Sequence, residues 1–438
     1  MEKTPLWSAL NRFADTEPLR MAMPGHKGKE IPGLPPGLAR LDWTELPPTG
    51  DLYEAGGPIE EAELAWALFW GADSCLFLTG GATQGVHTML RLADCRSILV
   101  DRVSHRSVHT GLALLGMEPV WLPRPWLEDA GVTGPVEPEA VEQMLEKHPE
   151  CGAVCVTSPT YYGVCSDLTA IGAVCRRRGV KLLVDGAHGA HLFLLAAGEN
   201  PYAAADLVTV SAHKTLAAPG QSALLFGQGV SMDQLRQASL LFATSSPSYP
   251  MMAALDALRP WLAAEGTRAY QRTAAVVRAL RGRYPALTEG DAALDPTRLT
   301  LCVADGYRVE AELQRRNLWP EMADRGHVVC ILTGSDTEEE IRRLAAALDE
   351  LGLAGAERPV SALPPPLLPR RACSPRRALL APRETVPLAL AKGRIAAVQL
   401  APYPPGVPVV APGEVIEEKV LAYLTQVGYN KQDTIVLK

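Results

Sequence analysis

The chain has 438 residues, of which 47% are hydrophobic and 21% charged, and its formal net charge is −7. Gly and Pro contribute 37 residues each, too few for a low-complexity chain, so the composition is that of a large globular protein. The basic residues do not form the extended cluster that nucleic-acid binding requires. No apolar run reaches the roughly 18 residues of a membrane span, and the first residues lack the apolar core of a signal peptide. We therefore expect a cytoplasmic protein that acts on a small molecule and binds neither nucleic acid nor membrane.

The nine cysteines give no sign of a disulfide framework or a zinc site. Their number is odd, no two are arranged as Cys-x-x-Cys, and most lie within apolar runs. Buried, reduced thiols are the interpretation that fits this pattern, because disulfide frameworks belong to oxidising compartments. We expect no bound metal.

Between about residues 58 and 226, short apolar strands alternate with helical patterns. This alternation is typical of crossover units that build a mostly parallel sheet in an α/β fold. The predicted helices are 58–70, 86–93 and 168–178, and the predicted strands are 75–78, 98–100, 153–156, 182–184 and 207–210. The strands are apolar throughout, so both faces of the sheet should be covered. Ligands of such sheets bind beyond the carboxyl ends of the strands.

Residues 251–358 are predicted to form a second, smaller α/β domain. A long helical stretch begins this segment, and a strand is expected at 328–332. The last helix has Asp336 and Thr337 as candidate caps, an acidic first turn that suits the positive end of the helix dipole, and Gly352 as its end. We interpret the acidic run as helix capping.

A proline-rich stretch at 359–369 is too stiff and too poor in backbone donors for a helix, so it marks a linker to a small carboxyl-terminal domain. The predicted domains are an amino-terminal arm (1–57), a large domain (58–250), a small domain (251–358), and the linker with the carboxyl-terminal domain (359–438).

The first candidate site is a glycine-rich segment, 79–85, between a strand and a helix. Glycines let backbone N–H groups approach an anion, the helix start adds partial positive charge, and Thr83 offers a hydroxyl. A tight turn without any ligand needs glycine as well, so this motif alone does not establish an anion-binding site.

Two further candidates follow apolar strands directly. Asp185 comes after one strand, and Lys214 follows the next strand along the chain. A buried carboxylate needs a cationic or hydrogen-bonding partner. A buried amine at the end of an interior strand is energetically unfavourable, but it is what a Schiff-base lysine requires. Neighbouring parallel strands present both residues to one crevice. An anion cradle, an acid and a lysine are what pyridoxal phosphate (PLP) requires.

The chain resembles the PLP-dependent ornithine/lysine/arginine decarboxylases of fold type I. The resemblance covers nearly the whole chain and keeps the order of the family's motifs. These motifs are MPGHKG (23–28), TSPTYYG (157–163), DGAHGAH (185–191), SAHKTL (211–216), SSPSYP (245–250), PEMAD (320–324), PYPPGVP (402–408) and PGE (412–414). The resemblance implies a fold type I large domain with a mostly parallel sheet, a small α/β domain and a carboxyl-terminal decarboxylase domain.

The resemblance also assigns roles around the cofactor ring. Lys214 would hold PLP as a Schiff base, and Asp185 would pair with its pyridine nitrogen. His105 would stack on one face of the ring, with Ala187 packed against the other. His188 would lie near the lysine and the substrate carboxylate, as a catalytic and a substrate-binding residue.

The phosphate of the cofactor is assigned to two turns of the large domain. Ala82 and Thr83 would bind it together with Ser211 and His213. In the family, a segment like Thr244-Ser245 reaches this phosphate from the neighbouring subunit, so the resemblance implies a homodimer or a higher homo-oligomer with shared active sites.

Three further features stay open at this point. Glu414 is a candidate partner for the distal cation of the substrate, or else a surface carboxylate in a proline-rich turn. His26 and Lys27 line the entrance or support the dimer. The family's polar residues are replaced by Gly80, Ala82 and Gly186, which affects phosphate affinity or substrate orientation but not the lysine or the acid.

The resemblance implies decarboxylation of a basic amino acid and a place in polyamine supply. We expect arginine first, giving agmatine, and then lysine or ornithine, giving cadaverine or putrescine. We expect the short form of the family, without the receiver-like amino-terminal domain of the large inducible relatives. The alternatives are another PLP enzyme of this fold, such as an aminotransferase, or a non-catalytic PLP-binding subunit. Arg298 is the candidate carboxylate clamp for an aminotransferase, although the sequence favours an ordinary surface arginine there.

Overall fold

The computed structural model describes residues 3–33, 35–402, 407–429 and 431–438. The motif at 402–408 therefore falls partly outside the described residues, since 403–406 are not among them. The helices are α1 (Pro5–Asp15), α2 (Leu38–Leu41), α3 (Gly57–Trp70), α4 (Gly81–Ala93), α5 (Arg106–Leu115), α6 (Pro138–Lys147), α7 (Leu168–Arg178), α8 (Leu192–Leu195), α9 (Ala212–Thr215), α10 (Met232–Ser239), α11 (Tyr249–Trp261), α12 (Thr267–Arg283), α13 (Gly306–Arg315), α14 (Glu338–Glu350), α15 (Pro375–Leu380) and α16 (Glu418–Gln426). The strands are β1 (Ser74–Leu78), β2 (Ser97–Asp101), β3 (Glu118–Leu122), β4 (Trp126–Leu127), β5 (Val132–Thr133), β6 (Cys151–Thr157), β7 (Lys181–Asp185), β8 (Leu207–Val210), β9 (Ala223–Gly227), β10 (Arg298–Cys302), β11 (Met322–Ala323), β12 (His327–Ile331), β13 (Arg383–Pro387) and β14 (Asp433–Leu437).

A seven-stranded sheet with the order β1-β9-β8-β7-β6-β2-β3 forms the centre of the molecule. The pairs from β8 to β3 are parallel, and β9 runs antiparallel to both of its neighbours. The prediction of a mostly parallel sheet is therefore confirmed. The inner strands are buried along almost their whole length, because helices cover both faces.

Local signals explain most element ends in this part of the chain. Helix α3 has Pro58 in its first turn and ends at Gly71, whose φ of +82° suits a residue without a side chain. Asp167 caps α7 by accepting a hydrogen bond from the N–H of Ala170. Helix α4 begins at residue 81, earlier than the predicted start at residue 86, because glycines in the first turn do not prevent helix formation there.

A second sheet, with the order β10-β12-β11, packs with α12, α13 and α14 around a core of its own. Thr337 caps α14 in a capping box with Glu340. Of the two predicted caps, Asp336 and Thr337, it is therefore Thr337 that lies at the N-cap position. Helices α11 and α12 are joined by a π-helical turn at Leu262–Gly266 and follow one another without a loop.

Residues 359–369 contain neither helix nor strand, and a third core follows them around β13, β14 and α16. This last part lies against the edge of the large sheet. Arg371 donates to the carbonyl of Pro119 at 2.8 Å, and Arg376 donates to the carbonyl of Leu114 at 2.8 Å. All nine cysteines are free. None of the described helices is long and apolar enough to cross a bilayer.

Candidate active site

Adjacent strands present Asp185 and Lys214 at the same edge of the sheet. Asp185 is the last residue of β7, and its register partner on β8 is Thr209. The short helix α9, which contains Lys214, starts two residues after β8 ends. Asp185 is buried and accepts a hydrogen bond from the N–H of Ala187 at 3.2 Å. The crossover from β7 to β8 therefore brings the predicted acid and the predicted lysine to one crevice, as the sequence indicated.

The amine of Lys214 lies 3.1 Å from Nε2 of His188, a buried side chain. Burial lowers the pKa of Lys214, while the carboxylates of Asp185 and Glu321 oppose this shift. Burial also holds the pKa of His188 well below its usual value, and the cations of Lys214 and Arg298 add to the effect. The imidazole is therefore neutral near pH 7, and its Nε2 can take or give a proton next to the amine.

His105 lies at the amino-terminal cap of α5 and belongs to the same site. Its Nδ1 accepts from the N–H of Ser107 at 3.3 Å, which fixes the ring at the end of the loop after β2. Desolvation lowers the pKa of His105; the charge of Asp185 opposes this shift, and that of Lys214 adds to it. A neutral ring is suited to stack on an aromatic cofactor. Ala187 is half-buried, two residues after Asp185.

The glycine-rich turn forms the amino terminus of α4, a helix of 13 residues. Gly81 has a φ of +70°, and a Cβ there would lie 3.4 Å from the carbonyl oxygen of Gln221. Ala82 is half-buried and Thr83 exposed, so their backbone N–H groups and the Thr83 hydroxyl stand at the open end of the helix. An anion is favoured at such a place by the helix dipole.

The second predicted phosphate turn precedes Lys214. Ser211 is buried at the N-cap position of α9, and the N–H of His213 donates to the carbonyl of Ser222 at 3.3 Å. Thr244 and Ser245 are exposed in the segment between α10 and α11, where Thr244 accepts a hydrogen bond from the N–H of Ser246 at 3.1 Å. This exposure leaves the Thr244-Ser245 segment accessible to another copy of the chain.

The structure contradicts one of the two interpretations of Glu414 and does not favour the other. The side chain is not at the surface, because it is 0% exposed, and it already pairs with Arg102 of the large domain. Two guanidinium N–H groups of Arg102 donate to the two carboxylate oxygens at 2.9 Å each. The N–H of Ala411 donates to the same carboxylate at 2.7 Å. A carboxylate with these partners cannot bind a substrate cation without leaving a buried arginine unpaired.

Arg298 is another correction, because it is buried rather than at the surface. It begins β10 with 1% of its surface exposed, and its Nη1 donates to the carbonyl of Tyr161 at 3.3 Å. Its guanidinium is one cause of the lowered pKa of both Lys214 and His188. The sequence did not indicate this placement, because the small-domain strand and the large-domain loop meet only in the folded chain.

Tyr161 and Glu321 are site residues to which the sequence analysis gave no role. The ring of Tyr161 lies against that of His188, with 4.6 Å between centroids, and its hydroxyl donates to the carboxylate of Glu321. Glu321 is exposed, and its charge opposes the effect of burial, which lowers the pKa of Lys214 and of His213. Both residues lie in motifs that carried the resemblance, which was the available signal.

His26 and Lys27 make local contacts in the amino-terminal arm. Nε2 of His26 lies 3.1 Å from the Asp42 carboxylate, and the Lys27 amine donates to the carbonyl of Ala22 at 2.6 Å. These contacts fix the shape of the arm.

The groups in the crevice fit PLP. A desolvated amine, a carboxylate at a strand end and the open start of α4 match the aldehyde, ring nitrogen and phosphate of that cofactor. Nδ1 of His188 and the hydroxyl of Thr79 are buried without a hydrogen-bond partner in the part of the chain that the structure describes. Unsatisfied buried polar atoms are rare in a finished site and mark a place where a ligand completes the bonding.

Comparison with known proteins decides the family. Residues 4–294 match the family model described as "Orn/Lys/Arg decarboxylase, major domain". Residues 365–433 match the model of the carboxyl-terminal domain of the same family. The chain belongs to the Orn/Lys/Arg decarboxylases. These enzymes are PLP-dependent carboxy-lyases, so the resemblance inferred from the motifs is confirmed.

Curated relatives of the family extend over nearly the whole chain. The arginine decarboxylase of Bacillus subtilis is 30% identical over 460 aligned residues, covering 96% of this chain and 93% of the relative. That of Halalkalibacterium halodurans is 32% identical and covers 97% of this chain and 93% of the relative.

Solved structures of other proteins have the same fold. The constitutive lysine decarboxylase of E. coli superposes with a TM-score of 0.81 at 19% identity, over 99% of this chain and 82% of that chain. A PLP-bound serine palmitoyltransferase of S. paucimobilis matches 67% of this chain and 76% of its own, with a TM-score of 0.53. The α/β fold of type I predicted for the large domain is therefore confirmed.

Proposed function

We propose that this decarboxylase releases CO2 from a basic amino acid, arginine first, with PLP held by Lys214. The observation that carries the proposal is the amine of Lys214 at 3.1 Å from the neutral imidazole of His188, beside the strand-end carboxylate of Asp185. Curated relatives that match nearly the whole chain are named arginine decarboxylases, which favours arginine as the substrate.

Each residue of the crevice has a distinct task in this reaction. When bound, PLP supplies an electron sink for the electron pair left as the Cα–carboxylate bond breaks. Asp185 would hold the ring nitrogen in its protonated form, which would make the sink effective. Lys214 has a lowered pKa, so its amine can be exchanged for that of the substrate near neutral pH. Lys214, once its amine is free, would be placed to give a proton to the carbon that has lost CO2, and Nε2 of the neutral His188 would orient this amine from 3.1 Å.

Glu321 replaces Glu414 as the candidate partner of the distal cation. The negative charge of its carboxylate acts on Lys214, where it opposes the lowering of the pKa by burial. The same carboxylate accepts a hydrogen bond from the hydroxyl of Tyr161. Glu321 is exposed, and a carboxylate at this place suits a planar guanidinium, with which it forms paired hydrogen bonds, better than it suits an ammonium. This side chain supports arginine over lysine and ornithine.

CO2 release from purified, PLP-loaded protein tests the proposal. We expect release from L-arginine to exceed release from L-lysine and L-ornithine, each supplied as a carboxyl-labelled amino acid. Keto-acid formation without CO2 would instead indicate an aminotransferase, and no turnover at all would indicate a non-catalytic subunit. Glu321→Gln should raise the KM for arginine, whereas Glu339→Gln, at an exposed position on α14, should not.

We infer that two copies of the chain share their active sites. Thr244 and Ser245 are exposed, and the preceding Leu240 and Leu241 are 49% and 64% exposed, which is unfavourable for leucines that face water. Light scattering on the purified protein should give at least twice the mass of 47.0 kDa. A monomer at working concentration would contradict this inference.

The free cysteines fit a cytoplasmic location, and the amine product fits polyamine supply.

A further inference from the structure

We propose that Arg298 is a positioning residue of this site: its guanidinium holds the main chain of Tyr161 and His188 in place and does not bind the substrate carboxylate. The inference rests on the proposed function, because it concerns the residues that flank Lys214.

The hydrogen-bonding groups of Arg298 are already directed at the protein. Nη1 donates to the carbonyl of Tyr161 at 3.3 Å, and Nη2 donates to the carbonyl of His188 at 3.5 Å. Nη2 also lies 3.6 Å from the carboxylate of Asp295. Each terminal nitrogen is thus in contact with a main-chain carbonyl, whereas Nε lacks a partner among the described residues. With two of its five N–H groups on main-chain carbonyls the guanidinium has a fixed position, and a comparison of arginine with agmatine decides whether its remaining donors reach the substrate carboxylate.

The chemistry also disfavours a clamp. Decarboxylation turns a charged carboxylate into neutral CO2, so an ion pair with arginine would stabilise the ground state more than the transition state. A guanidinium that is bound to main-chain carbonyls does not stabilise the ground state of the substrate in this way. Its positive charge still contributes to the low pKa of Lys214 and His188.

The two carbonyls that Arg298 binds belong to two residues whose rings contact each other next to the lysine. His188 contacts the amine of Lys214 at 3.1 Å, and the ring of Tyr161 lies 4.6 Å from that of His188. The hydroxyl of Tyr161 in turn contacts Glu321. The guanidinium of Arg298, from the small domain, therefore sets the distance between two groups of the site. These are the imidazole of His188, which contacts Lys214, and the carboxylate of Glu321, which is proposed for the distal cation.

Arg298 is itself held from several sides. Asp295 is fully buried, and its carboxylate accepts from His191 at 2.9 Å as well as pairing with Arg298. The side-chain stem of Arg298 passes over Gly163, where a Cβ would come within 2.7 Å of it. Gly163 has a φ of +90°, so both its conformation and this close approach require glycine. Such a buried, paired arginine has one defined position.

Two substitutions distinguish the effect of the hydrogen-bond geometry of Arg298 from the effect of its charge. Arg298→Lys keeps a cation but cannot hold two carbonyls in a fixed geometry, and Arg298→Met removes the cation. We expect kcat for arginine to fall roughly 10- to 100-fold in both variants, with KM changed by less than about 3-fold. The matched control is Arg236→Met, since Arg236 is also buried and ion-paired, with Glu60 at 3.0 Å.

The absorbance of the lysine-bound cofactor, titrated without substrate, gives a second readout that a merely structural role would not move. We expect Arg298→Met to raise the pH midpoint by about one unit because a nearby cation is lost, and Arg298→Lys and Arg236→Met to leave it within about 0.3 unit. The other charged or titratable groups that face Lys214 are present in every variant; they are Asp185, His188, His105, His213 and Glu321.

Binding of agmatine, which is arginine without its carboxylate, distinguishes the alternatives. A rise of about 100-fold in the KM for arginine with unchanged agmatine inhibition would identify a carboxylate clamp and overturn the proposal. An unmoved midpoint in Arg298→Met would also overturn it. If Arg298→Met does not fold, Arg298→Lys decides: a lower kcat with an unmoved midpoint supports the proposal, and a wild-type kcat refutes it. If wild-type protein releases no CO2 from any basic amino acid, the proposed function fails, and the titration still tests Arg298.

Discussion

The buried pair of Arg102 and Glu414 gives the sharpest test of how the carboxyl-terminal domain contributes. Glu414→Gln keeps the size of the side chain and removes its charge. In the native chain the carboxylate accepts two N–H groups of Arg102 at 2.9 Å and the N–H of Ala411 at 2.7 Å. The two side chains are 4% and 0% exposed, so water cannot replace the lost partner.

The expected cost follows from this burial. Removing one member of a buried ion pair costs about 3–5 kcal/mol of unfolding free energy, because the other charge stays buried without compensation. Replacing both members by apolar residues, as in the double variant Arg102→Met with Glu414→Leu, is expected to be close to neutral, within about 1–2 kcal/mol. The double variant should therefore be more stable than Glu414→Gln.

Urea unfolding followed by tryptophan fluorescence measures these differences, and steady-state kinetics with arginine runs in parallel. KM should stay within about 3-fold of the wild-type value in Glu414→Gln, because Glu414 does not face the crevice. The matched control is Glu418→Gln, which removes an exposed carboxylate paired with Lys392 and should not change stability measurably. Unchanged stability with a strongly raised KM in Glu414→Gln would refute the reasoning and restore a substrate-binding role.

Three further predictions concern single side chains. Lys214→Ala should abolish CO2 release and the visible absorbance of bound PLP; normal CO2 release by this variant would rule out Lys214 as the cofactor lysine. Glu321→Gln should raise the KM for arginine about 10- to 100-fold and leave urea unfolding unchanged, and an unaltered KM would remove Glu321 from the substrate site. Burial and the nearby cation of Arg102 lower the pKa of His109 to about 3, so the unfolded chain binds a proton first as the pH falls. Stability from this residue is therefore lost below about pH 6.5, and His109→Gln should flatten the pH dependence of the unfolding free energy between about pH 6.5 and 4; an equally steep dependence would count against His109 as its source.

The central site could be predicted from the sequence because its residues follow strands of a regular pattern. Asp185 comes directly after an apolar run, and Lys214 lies one crossover unit further on, so the right-handed crossover rule places both at one sheet edge. The start of α4 was placed too late because glycine is a poor helix former in general, although it is tolerated in the first turn.

Arg298 and Glu414 could not be placed from the sequence. Each makes its decisive contact with a residue far away in the chain, Arg298 with the loop at Tyr161 and Glu414 with Arg102. Local patterns carry no information about such pairs. A proline-rich neighbourhood suggested an accessible carboxylate, but the tertiary partner buried it.

The pair of Arg102 and Glu414 also has a consequence for the timing of synthesis. The two residues are 312 positions apart, so at ribosomal speeds of about 5–20 residues per second Arg102 waits roughly 15–60 s for its counter-ion. During this interval the nascent large domain has an arginine that it cannot bury favourably, and the edge around β3 and α5 stays open. A chain stopped before residue 414 should therefore remain protease-sensitive at this edge, which limited proteolysis of the truncated protein can detect. Translation of the last domain thus completes the folding of the first.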